Sequence, residues 1–168
     1  MASESRPSGL LDVEQFAIDS SVLTFTLEHL AKRGDEGLEA FVLWGGRRSE
    51  VDRRSLHFTS ALFPRQTAYK TERGLLVTIE SQSLFEVNKT LFERGEILAA
   101  QVHTHPTEAY HSEIDDNQPV VTILGGLSIV IPDFARYGMA DRTRWAWYRL
   151  RDLGSWEPLP PEIEVEVR

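Results

Sequence analysis

Two histidines one residue apart, His103 and His105, are followed by Pro106 and, after five further residues, by Ser112-Glu113-Ile114-Asp115. Imidazole nitrogens and a carboxylate oxygen are the ligand chemistry of a zinc site built without sulfur. In a strand, residues two apart point to the same face, so His103 and His105 can converge on one point while Thr104 faces away. Pro106 cannot continue as a central ladder member and turns the chain into a loop. From that loop Ser112 can N-cap a short helix and place Asp115 one turn on, facing the same side. Three protein ligands, His103, His105 and Asp115, leave a fourth tetrahedral position for water, which marks a catalytic site and not a structural one. Zinc there makes a hydroxide nucleophile available near neutral pH, so the segment reads as the centre of a metal-dependent hydrolase.

Amide hydrolysis also needs a proton acceptor and a donor for the leaving amine. Glu39, at the start of an apolar run that ends in Gly45-Gly46, is the candidate for both roles. Ser112 is the candidate donor to the oxyanion that forms on the attacked carbonyl.

These side chains must be held by the elements around them. Residues 38–44 are short and continuously apolar, which predicts a buried strand stopped by the two glycines. Residues 97–102 have the same character and deliver the chain into His103, a rigid mount for a ligand. Helical spacing runs from Ser20 or Ser21 to a stop at Gly34 after Lys32 and Arg33, and again over residues 81–94, with Ser81 or Ser83 as N-cap and Gly95 closing it. Residues 55–63, 75–79, 127–131 and 144–150 read as further strands, the first of them ended by Pro64. The polar stretch 1–12 is expected to be a flexible N-terminus, residues 13–159 the folded domain and 160–168 a C-terminal tail. In that tail Ile163, Val165 and Val167 alternate with acids, a pattern that suits an edge strand or a disordered end equally.

Composition narrows the class. The 168 residues, 41% of them hydrophobic, suit one α/β domain with a sizeable core. A formal net charge of -8 argues against nucleic acid as a partner, the densest basic cluster being Arg47-Arg48 with Arg53-Arg54, read as a solvated turn. The absence of cysteine rules out disulfides, thiolate nucleophiles and sulfur-ligated zinc. No apolar run approaches membrane-spanning length and the start lacks the pattern of a signal peptide, so the expectation is a soluble, cytoplasmic protein. His29 and His57 read as structural, and His111 as a solvent-exposed loop residue. Glu108 and Asp116 read as surface acids, with Asp116 a candidate neighbour of a ligand histidine, and Trp145, Trp147 and Tyr148 as packing.

Glu39 ahead of an apolar strand, His103-Thr-His105-Pro106 and Ser112-x-x-Asp115 together resemble the JAMM motif of the MPN (JAB) zinc metalloprotease family. The resemblance implies a curved, mostly antiparallel sheet flanked by two main helices. It implies zinc on His103, His105 and Asp115, Glu39 as general acid/base and Ser112 stabilising the tetrahedral intermediate. The five-residue spacer after Pro106 is shorter than the six of many eukaryotic members and leaves Asp116 competing with Asp115. The implied reaction is cleavage after the C-terminal tail of ubiquitin or a ubiquitin-like protein. The brevity of the chain resembles stand-alone prokaryotic members, which accompany E1- and E2-like enzymes in conjugation operons, some linked to antiphage defence. Release of a small amine from a sulfur-carrier protein is a variant of the same chemistry, and a non-catalytic MPN scaffold is the alternative class.

Overall fold

A computed structural model describes residues 9–113, 115, 119–152 and 154–168. The elements run β1 (Gln15–Ile18), α1 (Ser20–Asp35), β2 (Phe41–Arg48), β3 (Ser55–Leu62), β4 (Gln66–Thr71), β5 (Gly74–Ile79), α2 (Ser81–Glu93), β6 (Ile97–Thr104), β7 (Leu127–Ile131), β8 (Ala146–Asp152), β9 (Ser155–Pro158) and β10 (Glu164–Val167). Eight strands form one curled sheet in the order β10-β1-β3-β2-β6-β7-β8-β9, and β4 with β5 forms a separate hairpin. The sheet is antiparallel except where β1 joins β10 and β3, and where β6 joins β7. This is the mostly antiparallel α/β domain that the sequence leads one to expect. No helix among the described residues is long and apolar enough to cross a membrane.

Strand alternation assigns each helix a face. Along β2, Val42 and Trp44 enter the main core with Val22, Leu23 and Leu30 of α1, whereas Leu43 packs on the other side against Val87 and Leu91 of α2. Both helices owe their stability to these apolar stripes. Trp44 is fully buried, and its indole N–H donates to Thr26 Oγ1 at 2.9 Å, which couples α1 to the sheet centre. Lys32 and Arg33 lie in the last turn of α1, where cations complement the helix dipole.

Several boundaries differ from the expectations above. Gly34 does not end α1 but lies inside it, because a Cβ there would sit 2.4 Å from Phe134 Cβ. The glycine serves a close approach, not a stop. Gly45-Gly46 does not end β2 either. The register slips at Gly45 on both sides, and β2 continues to Arg48 through the irregularity. A Cβ on Gly46 would meet the His57 carbonyl oxygen at 2.6 Å, so two short-range requirements for space produced what looked like punctuation. The N-cap of α2 is Glu80, and Ser83 Oγ instead accepts the Arg65 N–H at 2.7 Å. Strands β1, β4 and β9, too short or too polar for a clear pattern, went unread.

Segments near both ends of the described residues contribute to the fold. Within the stretch read as a loose N-terminus, Leu10 is buried and its N–H donates to Leu124 O at 2.6 Å. Buried Arg149 donates to the carbonyls of Leu10 and Val13, both at 2.6 Å. Of the two readings of the tail, the strand is the one adopted: β10 pairs in parallel with β1. The basic cluster is partly tied down, since Arg48 forks onto the Asp12 carboxylate at 2.8 and 2.9 Å.

Candidate active site

The site lies at the end of β6, on the same sheet face as Leu43 and α2. Antiparallel pairing sets Phe41 opposite His103, with the two rings stacked at 4.8 Å. Two residues back along one strand and two forward along the other, Glu39 and His105 then face each other across the strand end. Glu39 itself precedes β2, and its segment is pinned from two sides. The Ala40 N–H meets Thr104 Oγ1 at 3.4 Å, and the Gln66 amide brackets Phe41, accepting its N–H at 2.6 Å and donating to its carbonyl at 2.9 Å. Thr104, which faces away from the histidines, thus helps to place the segment that carries Glu39.

His105 lies just beyond the strand, where Pro106 ends the ladder. Its N–H donates to Ile131 O at 3.0 Å and its carbonyl accepts the Phe134 N–H at 2.9 Å. The residues that hold it, Asp133, Phe134 and Ala135, all have φ between 51° and 57°, a left-handed turn of three non-glycine residues. Each costs on the order of 1–2 kcal/mol in that conformation. The strain is sustained by the packing of Phe134 against Gly34 and by the Asp133 N–H on Thr107 O at 2.9 Å.

Ser112 and Asp115 bond each other reciprocally. The Ser112 N–H donates to Asp115 Oδ2 at 2.7 Å, and the Asp115 N–H donates to Ser112 Oγ at 3.2 Å. This is a capping box with aspartate in the third helical position, and it fixes the carboxylate relative to the serine. Asp115 Oδ1 lies 3.2 Å from His103 Nε2 and Oδ2 lies 3.5 Å from His105 Nε2. Donor atoms that share one tetrahedral zinc lie roughly 3.3 Å apart, since each is about 2 Å from the ion. The three residues offer ligand atoms within 4.8 Å of one another.

A second observation bears on whether a metal fits. His103 is 2% exposed, and neither of its ring nitrogens has a hydrogen-bond partner among the described residues, because Asp115 lies off the required direction. A buried polar ring left in that state is unfavourable, and a cation at Nε2 would satisfy it. The residues fit a metal ion. Burial pushes the Asp115 carboxyl up, but the neighbouring His103 and His105 imidazoles and the Ser112 N–H outweigh it and hold the group well below the usual range. Glu39 behaves oppositely. Burial, opposed by His105 and helped by the Asp115 charge, pushes its carboxyl up to about 7.

Glu39, His103, His105, Ser112 and Asp115 line one cavity of about 410 Å³. Its far wall is β5 with Arg73, and Leu84, Tyr110 and Val120 are among the other lining residues. Residues 75–79 form the strand expected of them, but nothing in their own sequence shows that it faces the site, because β4, its partner in the hairpin, is too polar to show a strand pattern. Tyr110 packs edge-on to His105 at 4.6 Å and was likewise missed. His111 is not the exposed loop residue that was expected. It is half-buried against Tyr148 and Trp156, with Nε2 3.0 Å from Ser128 Oγ. Glu108 is exposed, as read. Asp116 lies outside the described residues. His29 packs at a tilt against Phe63 and His57 pairs with Asp19 at 2.7 Å, both away from the cavity.

An α/β domain that gathers two histidines and an aspartate beside a carboxyl poised near neutrality is built as a metal-dependent hydrolase. Comparison with known proteins narrows the class: the chain is 35% identical over 158 residues to the probable metalloprotease y4jG of Sinorhizobium fredii, spanning 93% of this chain and 94% of that protein. The chain belongs to that metalloprotease family. No family model matches it.

Proposed function

We propose that the protein is a zinc-dependent peptidase of the JAMM type that cleaves the amide bond after the C-terminal tail of a ubiquitin-like modifier, in a conjugate or in a precursor. The observation that carries this reading is the single cavity that unites the His103-His105-Asp115 group, Glu39 and Ser112. Zinc held by His103, His105 and Asp115 supplies Lewis acidity and makes water acidic enough to ionise near neutral pH. Glu39 manages the protons. With its carboxyl near 7 it takes one from the attacking water and returns it to the leaving amine. Ser112 Oγ accepts the Asp115 N–H, so its own proton is available to the substrate carbonyl oxygen as negative charge develops there.

The wall of the cavity supports a tail as substrate. Strand β5 pairs only with β4 among the described residues, so its other edge offers main-chain groups to an extended peptide. Leu75, Leu76, Val77, Leu84 and Val120 give that peptide an apolar track. A scaffold that did no chemistry would need neither the full set of five residues nor a carboxyl raised to about 7. Release of a small amine from a sulfur-carrier protein would use the same groups and differs only in substrate. The proposed setting is the cytoplasm of a prokaryote, with the modifier and its E1- and E2-like enzymes encoded nearby.

The test is cleavage of a ubiquitin-like protein extended past its C-terminal tail by a short peptide. Mass spectrometry should show cutting at the end of the tail, lost on chelation and restored by zinc. Intact substrate with zinc present, across tails of several sequences, would set the reading aside.

A further inference from the structure

The loop that carries Ser112 and Asp115 is fastened to the sheet at both ends by one row of buried and half-buried polar side chains. Gln101 lies opposite Ser128 in the β6–β7 ladder, and Ser128 lies opposite Tyr148 in the β7–β8 ladder, so the three residues cross three strands in a line. The row shares its face with His103, two residues beyond Gln101. Gln101 and Ser128 are fully buried, an unfavourable place for an amide and a hydroxyl unless each is satisfied.

They are satisfied chiefly by the loop. Ser128 Oγ is 3.0 Å from His111 Nε2, and the Tyr148 hydroxyl accepts the His111 N–H at 3.1 Å, directly before Ser112. On the return, Gln101 Oε1 accepts the N–H groups of both Val120 and Val121, at 3.0 and 2.9 Å. Gln101 Nε2 donates to Ser128 Oγ at 3.3 Å, which closes the two fastenings into one network. The loop between them brings Asp115 to the two histidines.

We infer that Gln101 and Ser128 are positioning residues for the metal site: they set where Asp115 meets His103 and His105, without touching the metal or the substrate. The inference rests on the proposed zinc reading. Partners that orient a ligand typically change metal affinity about 10- to 100-fold when removed. Ser128→Ala removes a hydroxyl with little change of volume, and Gln101→Met keeps the length of the side chain while orphaning two amide N–H groups.

The experiment measures zinc affinity by competition with a chromophoric chelator, together with hydrogen exchange at Val120 and Val121. Each variant should bind zinc about 10- to 100-fold more weakly while still melting cooperatively, with faster exchange at those two amides. The double variant should lose less than the product of the single losses, because both act through one network. Ser60→Ala, in a separate buried network beside Glu96, is the control that lowers stability and leaves zinc affinity unchanged. Affinity within about threefold of wild type in Ser128→Ala and Gln101→Met would overturn the inference, and so would an equal loss in Ser60→Ala. Should Gln101→Met not fold, Ser128→Ala decides alone. A wild-type chain that binds no zinc removes the metal reading itself, a result distinct from variants that bind as well as the parent.

Discussion

The two ends of β6 each bury polar groups, and they treat them in opposite ways. Just before the strand, Glu96 is 7% exposed and its carboxylate accepts the hydroxyls of Thr59 at 2.5 Å and Ser60 at 2.7 Å, with Arg47 at 4.0 Å. At the far end, His103 is more deeply buried and both its ring nitrogens lack a hydrogen bond among the described residues. A buried group that is fully partnered has its task inside the fold. One placed beside a second imidazole and a carboxylate, yet without a hydrogen bond among the described residues, is arranged for something that enters from outside. The backbone repeats the contrast: among the described residues, only the histidine end is braced by a run of three left-handed non-glycine residues.

The contrast is broken most completely by His103→Ala. Metal content measured by elemental analysis should fall to background and hydrolysis should vanish while the fold persists, since the ring makes no hydrogen bond among the described residues. Metal retained at the wild-type level would mean that the histidine end is as structural as the Glu96 end. Glu39→Gln should lower turnover by about 100- to 10,000-fold with metal still bound, because only proton transfer is removed. Undiminished turnover would exclude Glu39 from the chemistry.

The same substitution has a pH-dependent effect on stability in the metal-free protein. A carboxyl raised from 4.5 to about 7 by burial costs the folded state nothing at pH 4, where it is protonated both folded and unfolded. Between 4.5 and 7 the unfolded chain ionises first, so the cost grows, and above 7 it is constant. Glu39→Gln should therefore melt like wild type at pH 4 and at higher temperature at pH 8. A gap of the opposite sign, or one independent of pH, would show that Glu39 is not held in this state.

At the Glu96 end, Ser60→Ala should cost about 1.5–3 kcal/mol by denaturant titration, the usual loss for a hydrogen bond to a charged group, with no effect on metal content. Arg54→Ala, which breaks the exposed pair with Glu14, should change stability by less than about 1 kcal/mol. That outcome would show that burial, and not polarity alone, separates the sites that matter from those that do not.

Much of the scaffold could be read because its elements repeat a simple pattern. The apolar spacing of α1 and α2 and the continuous runs of β2, β6 and β7 lie within four residues of their expected bounds, because burial on one stripe or on both faces leaves a local signature. Misreadings arose where a residue answered to something distant. Gly34 and Gly46 make room for Phe134 and for the His57 carbonyl, neither of which their own neighbours in sequence reveal. His111 looked like an exposed loop residue because the groups that cover it, Ser128, Tyr148 and Trp156, come from β7, β8 and β9.

By itself the sequence determined which atoms are available for chemistry. His103, His105, Ser112 and Asp115 fall within thirteen consecutive residues, and local geometry pairs the two histidines by strand periodicity and Ser112 with Asp115 by a capping box. Only the tertiary structure decided what surrounds them. Antiparallel pairing of β2 with β6 carries Glu39 across more than sixty residues of sequence to the histidines, and the resulting burial raises its carboxyl to about 7. The β4–β5 hairpin closes the cavity with a strand edge that is unpaired among the described residues, and a polar row across β6, β7 and β8 holds the loop that bears Asp115. Identity and local spacing are properties of a segment. Desolvation and long-range register arise only when segments pack, and it is these that turn a set of ligands into a site.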